Sequence, residues 1–204
     1  MAMAKPGLVQ QRQNPLRERY RRDPAKAWIR DGALTINGCG GDPFHGAVIP
    51  DNNGGTPLCF GIHRAVGGDH DYPNPGDLLS SALAACFDST LRMLADHLGV
   101  RLQFLEVKVE AECDVRGCLL VDRSVPVGFQ KMRCRVRLQP EGQVDAKTLQ
   151  QLVSATEGCC VVLQTLRNGV AVSTEIESTE LEAVDPASAA TPVRGGLHVT
   201  PGGA

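Results

Sequence analysis

The segment from Asn74 to Leu98 limits this chain more than any other, because from Leu78 to Leu98 it carries neither glycine nor proline. Asn74 can cap a helix whose first turn takes Pro75 and whose positive end suits Asp77. Leu79, Ala82, Leu83, Cys86, Thr90, Met93, Leu94 and His97 recur at helical spacing, and Gly99 supplies the stop. The pattern predicts one long helix with Cys86 on a mostly apolar stripe. Such a stripe must be buried against another layer.

The flanking segments supply that layer. FLEVKVEAECDV alternates, with Leu105, Val107, Val109 and Ala111 on one face. KMRCRVRLQ alternates better: Met132, Cys134, Val136 and Leu138 face in, while Lys131, Arg133, Arg135 and Arg137 face out. Between them SVPVGF bends or caps an edge. Asp145 can cap a second helix, with Leu149, Leu152, Val153, Thr156, Cys160 and Leu163 on one stripe. Asn168-Gly169 ends it, and VAVSTEIE reads as a final strand. Residues 26 to 71 read as short strands broken by the glycine-rich turns NGCGGDPFHG and PDNNGGTP, the second followed by a strand LCFGIHRAV. Elements segregated in this order predict an α+β fold, with antiparallel sheets packed on two central helices.

At 204 residues the chain accommodates one ordinary domain with tails. We divide it into a basic arm (1–25, with Arg12, Arg17, Arg19, Arg21 and Arg22), a single domain (26–177) and a flexible tail (178–204) rich in Ala, Pro, Gly, Ser and Thr. The arm reads as a solvated segment, draped over a partner subunit, rather than a nucleic-acid tail. A net charge of −2 and 4 % aromatic residues argue against a nucleic-acid partner. No apolar run approaches the roughly 20 residues of a membrane span, and the N-terminus has no leader-like stretch, so the expectation is a cytoplasmic protein without a membrane partner.

Eight cysteines stand at 39, 59, 86, 113, 118, 134, 159 and 160. In a chain of this length and expected compartment, reduced buried thiols or one catalytic pair fit better than a disulfide framework. Cys113 and Cys118 are one loose pair without a matching second, so no metal site is expected. A buried cysteine is by itself a small hydrophobe. On the second helix Cys160 points inward, and Cys159 lies about 100° round.

NPGDLLSSALAACFDSTLRMLADHLGV resembles the central helix of the OsmC/Ohr family, and GCCVVLQTLRNGVAV resembles that family's second cysteine motif, with Cys160 at the family cysteine and Val161 where proline often stands. The resemblance covers residues 72 to 177. It implies an intertwined homodimer that reduces organic hydroperoxides without cofactor or metal. Cys86 would be the peroxidatic thiol, Cys160 the resolving one, and a dithiol reductant would restore the pair. Cys39, Cys59, Cys113, Cys118 and Cys134 are then expected to be unpaired.

A free thiol is mostly protonated at neutral pH, so the attacking sulfur needs a cation or donor. Cys86 lies too deep in its own helix for that helix's dipole to act. Organic-hydroperoxide-specific relatives use a glycine-loop arginine held by a glutamate after Asn-Pro. Here Gly76 takes the glutamate position, and the loop offers only Asp42 and His45. Arg64 resembles an arginine of OsmC-type members and is the expected replacement, with His45 and His63 weaker candidates. Asp77 reads as a helix-end charge. The competing reading is a dimer that binds a small apolar ligand or acts as a thiol redox sensor.

Overall fold

The computed structural model describes residues 7–36 and 39–176. In order, the elements are α1 (Leu8–Arg22), β1 (Ala33–Ile36), β2 (Gly46–Pro50), β3 (Leu58–Phe60), α2 (Pro75–His97), β4 (Leu102–Glu112), β5 (Lys131–Pro140), α3 (Ala146–Cys159) and α4 (Val161–Asn168). They form an α+β architecture with two antiparallel sheets, β1-β2-β3 and β4-β5.

The long helix starts as its sequence requires. The Asn74 side chain accepts from the Gly76 and Asp77 N–H groups, and Asp77 returns a bond to the Asn74 N–H, a reciprocal cap worth about 1 kcal/mol. It ends where Gly99 takes φ +71°, a left-handed value that glycine adopts without strain. Its buried residues are Leu83, Phe87, Thr90, Leu91 and Ala95, so the buried face is turned relative to the expected stripe, and Met93 is exposed. The aromatic Phe87 and the β4 side chains that α2 packs on set that rotation. By length and mean hydropathy (1.2) α2 could cross a bilayer. It nevertheless gives one face to the protein core and carries Asp77, Asp88, Arg92 and Asp96.

The expected alternation of β4 and β5 is seen. Leu105 pairs with Leu138, Val107 with Val136, Val109 with Cys134 and Ala111 with Met132. All of these side chains but Ala111 pack against the cluster of Leu83, Phe87, Leu91, Ala95, Leu152 and Cys160. Each fully buried Leu or Phe contributes about 1.5–3 kcal/mol. The opposite face carries Glu106 against Arg137 (3.2 Å), Glu110 against Arg135 (3.4 Å) and Glu112 against Lys131 (3.0 Å). At exposed positions such pairs contribute little to stability; the first and third join register partners, and the second is diagonal.

The basic arm, in which the sequence marks no element, is helical over Leu8–Arg22, because Asp96 of α2 supplies the cap its Gly7 lacks: the Val9 N–H donates to Asp96 Oδ2 at 2.8 Å. Four expectations are corrected. The strand expected over LCFGIHRAV is confined to Leu58–Phe60, since His63 caps a 3-10 turn at Arg64–Val66 that Gly67 closes with φ +96°. The second helix is two helices, broken at Cys160 (φ −74°, ψ 107°). No strand forms over 170–176. Finally, Cys39 and Cys59 are not free but joined by a disulfide, with Cα atoms 5.7 Å apart. The turn between β1 and β2 brings Cys39 over β3, a juxtaposition that spacing alone does not reveal. The expected flexible tail at 178–204 lies outside the described residues.

Candidate functional site

Two elements meet at the site. Cys86 projects from the middle of α2, and Cys160 sits in the joint between α3 and α4. Both are free thiols; Cys160 is fully buried and Cys86 partly so. Cys159, next in sequence, is exposed and points away.

The joint has local causes. Val161 and Val162 are β-branched and weak helix formers. Gln164 reaches back with Nε2 to the Glu157 carbonyl at 2.7 Å, and Arg167 pairs with the Glu157 carboxylate at 3.1 Å. The Gln164 bond satisfies one carbonyl near the end of α3, and α4 begins afresh with Cys160 at its N-cap position, where the side chain makes no capping bond. A new helix start leaves free N–H groups pointing outward, and here they point at a sulfur.

Burial pushes the Cys86 thiol up. The N–H of Val162, the Cys160 thiol, the N–H of Val161 and the Thr90 hydroxyl all bond to its sulfur, and together they outweigh burial, so its pKa falls below the usual thiol value. Cys160 moves the other way. Burial and the neighbouring Cys86 raise it, and the Leu163 and Val162 N–H groups offset this only in part. The two shifts run in opposite directions, so Cys86 is the more acidic thiol of the pair.

The helix whose N–H groups lower the Cys86 pKa is thus α4, not its own. The stripe pattern placed Thr90 on the right face without giving it a role; its position one turn beyond Cys86 was the only signal. The Val161 and Val162 donors could not be found from an unbroken helical stripe.

Arg64 lies exposed in the 3-10 turn, with Nη2 3.5 Å from the Asp69 carbonyl. It is not among the groups that set the Cys86 thiol. His63 accepts from the Ala65 N–H through Nδ1 and stacks edge-on against His70, ring centres 4.5 Å apart. His45 is held between Asp42 (2.9 Å) and Asp71 (3.1 Å). Asp77 caps α2. At Gly76 a Cβ would lie 2.9 Å from the Phe129 ring and 2.9 Å from Asn74 Oδ1, so an aromatic ring fills the space a longer side chain would need. No cluster of metal-ligating side chains occurs among the described residues.

Residues of α2, β5, α3 and α4 line an open groove of about 860 Å³, and neither Cys86 nor Cys160 is among them. Leu79, Leu83, Phe87, Met132, Leu163 and Leu166 line it, with Phe129 at its margin.

A cysteine on a long capped helix, facing a second cysteine at a helix joint, is the arrangement found where this chain matches a known family. The family described as "OsmC-like protein" matches residues 68–175, more than half of the chain. The chain belongs to the OsmC-like family. This OsmC-like protein is 30 % identical over 123 residues to the organic hydroperoxide resistance protein OhrA of Bacillus subtilis, a match covering 60 % of this chain and 74 % of that protein. Among solved structures, it is similar to an OsmC-like protein from Mycoplasma pneumoniae (TM-score 0.55, 12 % identity, covering 69 % of this chain and 89 % of that one). It is also similar to an organic hydroperoxide resistance protein from Elizabethkingia anophelis (TM-score 0.52, 20 % identity, covering 70 % and 91 %). At these identities the structural likeness is one of fold.

Proposed function

We propose that this OsmC-like protein is a thiol peroxidase that reduces organic hydroperoxides through Cys86 and Cys160. One observation carries the reading: the free thiol of Cys86 packs against the cluster that holds the buried free thiol of Cys160, where α4 begins. The name of the Bacillus subtilis relative points to the same substrate class.

The Cys86 thiolate attacks the outer oxygen of the O–O bond. The S–O bond forms, the O–O bond breaks, and the alkoxide leaves as alcohol after taking a proton. The N–H groups of Val161 and Val162, together with Thr90, stabilise the sulfur's charge beforehand. The Cys160 thiol then condenses with the Cys86 sulfenic acid, giving a disulfide and water. A dithiol reductant returns both cysteines to thiols, in a reducing compartment such as the cytoplasm. No metal or cofactor takes part. The groove beside α2 would take the organic part of the substrate.

We place this chemistry in a homodimer. Among the described residues no helix packs broadly on the β1-β2-β3 sheet, and the groove is open on one side, so a second copy would cover both. Light scattering at micromolar concentration is expected to give about twice the 21.8 kDa chain mass; the chain mass alone would overturn the dimer.

The test of the activity is rapid mixing with cumene hydroperoxide followed by thiol titration. Fast loss of two thiols per chain, with multiple turnovers on adding a dithiol, is the expected result. Oxidation without turnover would favour a redox sensor, and no oxidation would favour a binder of small apolar ligands.

A further inference from the structure

The second cysteine pair lies apart from the first. Cys59 sits in β3 opposite Ala47 of β2, and Cys39 precedes the glycine-rich turn that leads into β2. Both are half-buried rather than enclosed in the core. Neither belongs to the core cluster that holds Cys160 and packs against Cys86.

The segment next to Cys39 has a separate, non-covalent fastening. His45 Nδ1 lies 2.9 Å from Asp42 and its Nε2 lies 3.1 Å from Asp71, with the ring only 10 % exposed. Gly40, beside Cys39, takes φ +112°, and a Cβ there would lie 2.7 Å from the His45 Cβ. The chain from Cys39 to β2 is therefore held covalently at one end and by ion pairs at the other. The three-stranded ladder and the His45 clamp do not depend on the sulfur bond. Neither is made by the sulfurs, so exchange of that bond would not require the fold to come apart.

We propose that Cys39 and Cys59 form a second thiol–disulfide centre, which exchanges with low-molecular-weight thiols such as glutathione independently of Cys86 and Cys160. In the reducing direction a glutathione thiolate bonds to one sulfur of the pair. The Cys39–Cys59 bond breaks, and the other sulfur leaves as a thiolate and takes a proton. A second glutathione thiolate attacks the glutathione sulfur of the mixed disulfide and frees the remaining cysteine, which is protonated in turn. The protein gains two electrons and two protons, and two glutathiones leave as one glutathione disulfide. Oxidation follows the same steps in reverse.

The experiment equilibrates the full-length protein and its Cys86→Ser variant in glutathione buffers running from reduced to oxidised. Acid quench, alkylation and peptide mass spectrometry then read each cysteine, with far-UV circular dichroism recorded on every sample. Cys39 and Cys59 are expected to become alkylated together, with one midpoint that is the same in both proteins, while the dichroism stays constant. In Cys59→Ser, Cys39 is expected to carry a glutathione in oxidised buffer. Full alkylation of both cysteines in the most oxidised buffer would overturn the pair. Protection through the most reduced buffer, or opening only as the dichroism is lost, would make the bond a static cross-link and overturn the exchange. A midpoint that moves with Cys86→Ser would overturn its independence.

Discussion

The backbone N–H of Val162 donates to the Cys86 sulfur from the first turn of α4, a helix that exists as a separate element because α3 stops at Cys159. A thiolate deep in one helix is thus stabilised by the start of another. The donors are backbone groups, fixed by the fold and already oriented before any charge develops.

The pair of cysteines should separate cleanly by substitution. Cys86→Ser is expected to abolish hydroperoxide consumption, because a serine hydroxyl is almost never ionised near neutral pH. Cys160→Ser should consume one equivalent and then accumulate sulfinic acid under excess peroxide. Cys159→Ser should be nearly silent, since Cys159 is exposed and outside the contact. Stopped-flow oxidation followed by intact mass distinguishes the three.

The pH dependence follows from the direction of the Cys86 shift. Its pKa lies below the ordinary thiol value of 9.0, so the thiolate, and with it the oxidation rate, should rise and level off at lower pH than for a free cysteine. Thr90→Val removes one donor worth about 1 kcal/mol. It should move the inflection to higher pH and slow the reaction roughly fivefold near neutrality. Arg64→Ala should leave the profile in place, because activation is assigned to α4; an upward move would return Arg64 to the reading.

Val161→Pro isolates a single backbone donor. Proline is favoured at the first position of a helix, and Val161 is that position in α4, so the fold should persist. The N–H that bonds to the Cys86 sulfur would be gone. The expected result is unchanged circular dichroism, a higher Cys86 pKa, and a loss of rate of about fivefold for a bond of roughly 1 kcal/mol. An unchanged pH–rate profile would show that the Val161 N–H does not act.

The His45 clamp should make stability depend on pH. Hydrogen bonds from His45 to Asp42, then to Asp71, raise the imidazole above its ordinary 6.5, so this contribution is present below that value and fades as pH rises through the folded-state pKa. Asp42 falls below 3.8 through its bonds with His45 and the Phe44 N–H. Asp71, which burial pushes up, falls as well because its bond to His45 wins. Their contributions are present above 3.8 and fade in stronger acid. The clamp is therefore complete between about pH 4 and 6.5. The difference in Tm between the natural protein and His45→Gln should be largest in that window and shrink above it.

What the sequence determined by itself is what local rules control. Asn74, Pro75 and Asp77 write the start of α2, Gly99 writes its end, and the alternation of β4 and β5 sorts their core face from their charged face. These signals act within a few residues of one another, and the motifs around Cys86 and Cys160 marked the two thiols. Tertiary structure alone decided the rest. Asp96 caps α1 from 87 residues away. Cys39 meets Cys59 only because a turn folds over β3. Apolar spacing runs unbroken through Cys160, so the break there shows only once Gln164 and Arg167 close back on Glu157. The lowered pKa of Cys86 belongs to this second group: it rests largely on backbone N–H groups that every residue but proline carries, and only packing α4 against α2 aims them at the sulfur.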